Sequence, residues 1–302
     1  AGAAIMTGSP FAVNRQRTAE CLGFDEVIYS TFDAIIGAHD YILESFSAAA
    51  ILTQHVGRFA RDISFWFSNE ARMVDIPDRF CHTSSIMMHK KNPVALEQIS
   101  GSTSDAVGGL TAAFVGDKRR SGGSEGDGGS FFSMLDTFDT AQRDMGWLAD
   151  MVPEMDVRRD RMLELAASHW AIAPDIASAL VREKGLPWRI AHQVVGIAVR
   201  FAHERGISPL EATPELIDEA AVEYMGKPVG LSAAALGEAI DPTVAVARRT
   251  LFGGPAPEQT RARGGEARER LEADRENVTA KESRLETAAA LLEEGLDRFV
   301  GR

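Results

Sequence analysis

Residues 40–67 read DYILESFSAAAILTQHVGRFARDISFWF. Within them Ile42, Phe46, Ala49, Leu52, Val56, Phe59, Ile63 and Trp66 recur at steps of four and three. That spacing predicts one continuous helix with a single apolar stripe, the kind that packs in a bundle. At 1.5 Å per residue the helix is roughly 40 Å long, a dimension that suits a rod-like bundle better than a compact globule.

Outward from this helix, the next punctuation is Pro77, Asp78 and the polar run His82-Thr83-Ser84-Ser85. A second helix is predicted from Pro93, since proline is favoured in a first turn. It carries Ala95, Leu96, Ile99, Val107, Leu110 and Phe114, thinned by Gly101, Gly108 and Gly109. Such glycines either weaken a helix or let a neighbour approach closely. The Gly/Ser-rich run at 116–129 reads as a mobile loop. A third amphipathic stretch follows with Phe131, Phe132, Leu135, Phe138, Met145, Leu148 and Met151, ended by Pro153. Shorter helical patterns occupy 158–170, 174–184, 187–204 and 214–225. The charged tail from 262 places Leu271, Val278, Leu285 and Leu292 seven apart, the pattern of a solvated helix docked along one edge. Strand signals are nearly absent. The expected fold is all-α: a long-helix bundle over 1–152, interrupted by a loop at 78–93, and a smaller helical C-terminal domain over 153–302.

Composition narrows the function classes. The chain has 302 residues, 45% hydrophobic and 25% charged, with a formal charge of −12. These are ordinary globular values, and the acidic balance argues against a general nucleic-acid binder. No apolar run approaches the roughly 18 residues of a membrane span, so no membrane partner is expected and the cytoplasm is the expected setting. Cys21 and Cys81 are too few for a disulfide scaffold or a cysteine-built metal site. The chain opens Ala1-Gly2-Ala3-Ala4, without an initiator methionine or a signal-peptide pattern.

The chemistry concentrates in Thr83-Ser84-Ser85-Ile86-Met87-Met88-His89-Lys90-Lys91-Asn92-Pro93, followed by Glu97. Two serines, two lysines and an asparagine crowd the mouth of a helix, where backbone N–H groups and the positive helix end attract a carboxylate. Composition also admits a plain polar loop, with Asn92 as N-cap and Lys90 and Lys91 solvated.

The residue order resembles the signature loop of the fumarase/aspartase superfamily, with Ser84, Ser85, Met87, Lys90, Asn92 and Glu97 in register. Within it the chain looks most like argininosuccinate lyase, because Ile86, Lys91 and Pro93 extend the match. Flanking pieces agree: Asn14-Arg15, Thr18-Ala19-Glu20, Leu22-Gly23-Phe24, Leu135-Asp136-Thr137, Lys184-Gly185, Ala191-His192 and Gly253-Gly254. The resemblance runs from the start to about residue 260.

The resemblance implies a carbon–nitrogen lyase that releases fumarate from an N-substituted aspartate. Ser85 takes the place of the family's general base, Lys90 and Asn92 those of the carboxylate-binding groups, and Ser84 that of a loop or substrate contact. It also implies a homotetramer whose sites draw on several subunits, and chemistry that requires no metal or organic cofactor; no metal-ligand spacing appears. Three departures qualify it. Thr83 stands where the motif has glycine, Met88 where it has proline, and His89 where argininosuccinate lyases usually have glutamine; His89 is a candidate substrate contact. In the next loop the family's Tyr, Gln and Lys that contact argininosuccinate fall on Arg120, Glu125 and Gly128, and no Tyr or Gln lies between 115 and 130. A different amine half is therefore expected, with Arg120 as a candidate ligand for an extra carboxylate. Family members also begin with a further N-terminal part that completes the active site. Its absence here makes a missing N-terminal segment an expected partner, and this chain alone is expected to be inactive. Two alternatives stay open: a non-catalytic scaffold on the same bundle, and another superfamily lyase or cycloisomerase.

Overall fold

Among the described residues three α-helices precede the first strand: α1 (Arg15–Leu22), α2 (Asp33–Ile36) and α3 (Asp40–Phe67). The computed structural model describes residues 2–4, 6–37, 40–116 and 129–301. The glycine-rich stretch expected to be mobile, with Arg119, Arg120, Glu125 and Asp127, falls at 117–128, outside the described residues. Helix α1 starts where the Asn14 side chain accepts the Arg17 N–H at 2.9 Å and ends at Gly23, whose φ of 74° is the left-handed conformation that favours glycine at a helix end.

Helix α3 runs unbroken for 28 residues, about 42 Å. The bundle is completed by α4 (Val94–Gly116) and α5 (Gly129–Met151). The predicted extent of α3 holds, but its inward face differs from the expected stripe. The residues buried within the chain are Ile42, Phe46, Ala49, Ala50, Thr53, Gly57, Ala60 and Ile63. Phe59 is exposed, and Leu52, Val56 and Trp66 are half-buried. Close approach of α4 is the reason: a Cβ at Gly57 would sit 2.2 Å from Thr103 Oγ1, and Thr103 donates to the Thr53 carbonyl at 3.3 Å. Small residues line the seam, so the bulky ones turn elsewhere. Helix α4 begins at Val94, one residue later than expected, with the Pro93 carbonyl accepting the Glu97 N–H. Helix α5 turns Met134, Ala141, Asp144, Leu148 and Met151 inward and leaves Phe132, Leu135, Phe138 and Met145 exposed.

Between α3 and α4 the chain forms β1 (Val74–Asp75), β2 (His82–Thr83) and β3 (Lys91–Asn92), and after α5 comes β4 (Asp156–Val157). Strand β1 pairs antiparallel with β4, and β2 with β3, in the register His82 to Asn92 and Thr83 to Lys91.

The chain divides into two compact units, Ala1–Val157 with Asp274–Arg302, and Arg158–Ala273. The second contains α6 (Arg159–Ala167), α7 (Ala173–Lys184), α8 (Trp188–Arg205), α9 (Pro214–Met225), α10 (Ala233–Ala239) and α11 (Pro242–Ala247). Its core gathers Ile176, Leu180, Val194, Ala198, Ile217 and Leu236. Side-chain caps at Thr213, Ser232 and Asp241 start three of its helices. Helix α12 (Pro257–Val300) spans 44 residues, about 66 Å, and its residues belong in turn to both units. Within the first unit it lays Leu285 and Ala288 against Gly23 and pairs Arg284 with Asp25, while Leu271, Val278, Leu285 and Leu292 stay substantially exposed. Among the described residues no helix is long and apolar enough to cross a membrane.

Candidate active site

The polar loop is a hairpin. Its stem is the β2–β3 pair, and seven residues, Ser84–Lys90, form its head. None of residues 78–93 has a positive φ. Thr83 lies in an extended strand, where a β-branched residue is at ease, so the position tolerates the loss of the motif's glycine. The Lys90 N–H donates to the Met87 carbonyl at 3.0 Å, which closes a turn over Met87–Lys90. Met88 occupies its second position, one that proline suits but does not have to fill.

The two serines have different surroundings. Ser84 Oγ accepts the backbone N–H groups of Ile86 at 3.2 Å and Met87 at 3.0 Å, an arrangement that folds the head of the loop. Ser85 is exposed and makes no hydrogen bond among the described residues. His89 and Lys90 are exposed beside it, and Asn92 is half-buried in β3. Glu97 lies exposed in the first turn of α4, where a carboxylate complements the positive helix end. The hairpin thus gathers Ser84, Ser85, His89, Lys90 and Asn92 in one segment; Arg120 lies outside the described residues.

Sequence reasoning passed over the residues that hold the stem. The Lys91 ammonium donates to Asp75 Oδ1 at 3.0 Å and to the Ile76 carbonyl at 2.5 Å, and pairs with Asp78 Oδ1 at 2.8 Å. It also lies 5.7 Å from the centre of the Phe67 ring. Burial alone would lower the Lys91 pKa, yet the hydrogen bonds to Asp78 and Asp75 leave it raised. On the other side Arg79 forms a bidentate pair with Glu154, one arm at 2.8 Å, which holds the glutamate below its ordinary value through the hydrogen bond to Arg79. Cys81 between them is half-buried, and burial pushes its thiol up, away from the reactive thiolate. The one signal available in the sequence was the Asp75…Asp78 spacing ahead of a doubled lysine.

A separate polar cavity of about 320 Å³ opens between α4 and α5, lined by Ser102, Asp105, Gly109, Asp136 and Thr140, and the hairpin residues do not line it. Among the described residues no group of three or more His, Cys, Asp or Glu side chains is placed to hold a metal ion.

Comparison with known proteins gives this hairpin its context. Residues 1–108 match the lyase family model, and residues 170–247 match the model described as argininosuccinate lyase C-terminal. The chain is 35% identical over 271 residues to an argininosuccinate lyase of Alkalilimnicola ehrlichii, covering 89% of this chain and 56% of that protein. It is 38% identical over 271 residues to the argininosuccinate lyase of Thioalkalivibrio sulfidiphilus, with the same coverage. The chain thus spans little more than half the length of these relatives. Among solved structures, EDDS lyase in complex with formate superposes with a TM-score of 0.88 at 27% identity, covering 99% of this chain and 60% of that one. A double variant of EDDS lyase with bound fumarate gives the same values. A class II fumarase from Schistosoma mansoni, at 17% identity and a TM-score of 0.51, shares the fold. The signature hairpin, the helical bundle that carries it and these matches at both ends together make the chain an argininosuccinate lyase-like member of the fumarase/aspartase superfamily.

Proposed function

We propose that this chain supplies the base-bearing loop of a lyase that cleaves an N-substituted aspartate to fumarate and an amine. The observation that carries the reading is the division between the two serines: Ser84 is spent on the loop backbone, while Ser85 stands exposed without a partner among the described residues. Ser85 removes the proton from the carbon next to a carboxylate. The electron pair is held on that carboxylate as a dianion, then forms the C=C bond as the C–N bond breaks and the amine leaves with a proton taken from solvent. Lys90 and Asn92 hold the carboxylate that takes the charge. A serine hydroxyl is a weak base, so closure of the loop over substrate and the nearby ammonium must activate it. In this reading His89, exposed in the head of the loop, contacts the substrate.

The amine half is proposed to differ from that of argininosuccinate. In support, the stretch between 115 and 130 carries neither Tyr nor Gln, and Arg120 there is suited to an added carboxylate. The reading includes a homotetramer, with residues 1–152 as the bundle and 153–302 as the C-terminal domain. The test is to incubate the chain, together with the N-terminal segment that completes the site in this reading, with a panel of N-substituted aspartates and follow fumarate by its absorbance. Fumarate from at least one adduct, abolished by Ser85→Ala, is the expected result; no fumarate from any, or undiminished turnover in the variant, would overturn the mechanism.

A further inference from the structure

The doubled lysine invites the reading that both cations serve the anionic substrate. Their surroundings separate them. An ammonium has three N–H donors and no acceptor, and Lys91 directs all three to acceptors of its own chain: Asp75 Oδ1, the Ile76 carbonyl and Asp78 Oδ1. None is left for a ligand. Lys90, one residue earlier, is exposed.

We infer that Lys91 is a positioning residue, a three-legged pin that ties the hairpin stem to β1 and the turn after it and so sets the register in which Lys90 and Asn92 meet substrate. The inference rests on the lyase reading for its functional consequence, but its geometry does not. Lys91 lies in β3 opposite Thr83. In an extended strand successive side chains point to opposite faces, so anchoring Lys91 toward Asp75 and Asp78 commits Asn92 to the other face. Two residue pairs are a short stem, too short to define register by backbone pairing alone, and a one-residue slip would exchange Lys90 for Lys91 in the acidic socket. The socket is itself fixed, because Asp75 is paired with Asp156 in β4 and its carboxylate also accepts the Ile76 N–H at 2.9 Å. The Phe67 ring closes a fourth side.

The test compares Lys91→Met, which keeps most of the reach and loses the donors, with Lys91→Cys aminoethylated by 2-bromoethylamine, which restores an ammonium at nearly the same distance. Wild-type protein treated in the same way controls for Cys21 and Cys81. Asp78→Ala, which removes one leg at an exposed carboxylate, serves if Lys91→Met does not fold. Amide hydrogen exchange over 82–92 should quicken about 10-fold or more in Lys91→Met while that over 94–116 stays as in wild type. On an aspartate adduct that wild type cleaves, kcat/KM should fall about 10- to 100-fold, the scale of a misplaced but intact constellation. Aminoethylation should recover most of both. Unchanged exchange over 82–92, unchanged kcat/KM in a protein that Ser85→Ala inactivates, or failed recovery in a folded Lys91→Cys protein would overturn the pin. If wild type releases no fumarate even with the N-terminal segment that completes the site, the lyase reading falls and hydrogen exchange alone decides the pin.

Discussion

The ring of Phe46 fills the space that a side chain at Gly109 would need: a Cβ built there lies 2.6 Å from Phe46 Cζ. Phe46 is fully buried in α3, among Ile42, Ala113 and Met134, so a Cβ at Gly109 forces its ring out of that packing. The neighbouring Gly108 has nothing within 4 Å of the same position. Two adjacent Gly→Ala substitutions are therefore expected to act in opposite directions. Gly109→Ala should destabilise by about 1–3 kcal/mol through overpacking. Gly108→Ala should stabilise by up to about 1 kcal/mol through helix propensity. Urea unfolding of the two variants checks this, and equal shifts of one sign would contradict the packing.

That contrast shows where sequence reading of the bundle stops. The 3.5-residue recurrence from Ile42 to Ile63 locates α3 to the residue, because backbone geometry imposes the period. It does not choose between two interleaved stripes, one small (Ala49, Thr53, Gly57, Ala60) and one bulky (Leu52, Val56, Phe59). Hydrophobicity favours the bulky stripe; the close seam with Thr103 requires the small one. The candidate site divides likewise. Ser84, Ser85, Lys90 and Asn92 are legible because their order in the chain is itself the signal. The role of Lys91 is not, since Asp75 lies sixteen residues earlier and meets it only through strands of two residues, which leave no periodic trace.

The unequal surroundings of the serines predict unequal kinetics. Ser85→Ala should lower kcat by about 10²- to 10⁴-fold, the range for loss of a general base. Ser84→Ala removes two backbone hydrogen bonds that shape the loop head. It should act through geometry, with a smaller loss of roughly 10-fold shared between kcat and KM. Single-turnover release of fumarate separates the two. A larger loss in Ser84→Ala than in Ser85→Ala would reverse the roles.

The Arg79–Glu154 pair gives the base of the loop a dependence on acid. Its hydrogen bond to Arg79 holds Glu154 below the ordinary value of 4.5. A carboxylate with a depressed pKa stabilises the folded form above its unfolded value, and that contribution is lost as pH falls through the depressed one. Both groups are exposed, so the effect is local and small. Acidification below the ordinary glutamate range is expected to lower the protection of the Val74 and Asp75 amides in wild type, read as exchange relative to the intrinsic rate at each pH. In Arg79→Ala protection there should already be lower at neutral pH and flatter across the same range. An unchanged acid response in Arg79→Ala would show that the pair does not govern this end of the loop.

The bundle leaves several large apolar side chains uncovered. Ile51 and Phe65 of α3, Phe114 of α4 and Phe132 of α5 are 60%, 61%, 56% and 66% exposed. Single exposed apolar residues are ordinary on a protein surface, but large ones on all three long helices of one unit are not, and burying one such side chain is worth roughly 1.5–3 kcal/mol. The inward seam is already filled by small residues, so these groups have no partner to gain by repacking within the chain. A helical bundle meets this need by self-association. Sedimentation should therefore give a mass of several chains, four in the proposed assembly. Phe65→Glu combined with Phe132→Glu should shift the protein to smaller species while helical circular dichroism at low temperature is retained. A wild-type monomer at micromolar concentration would remove the assembly from the proposed function; it would leave the hairpin geometry, which lies within one chain, as it is.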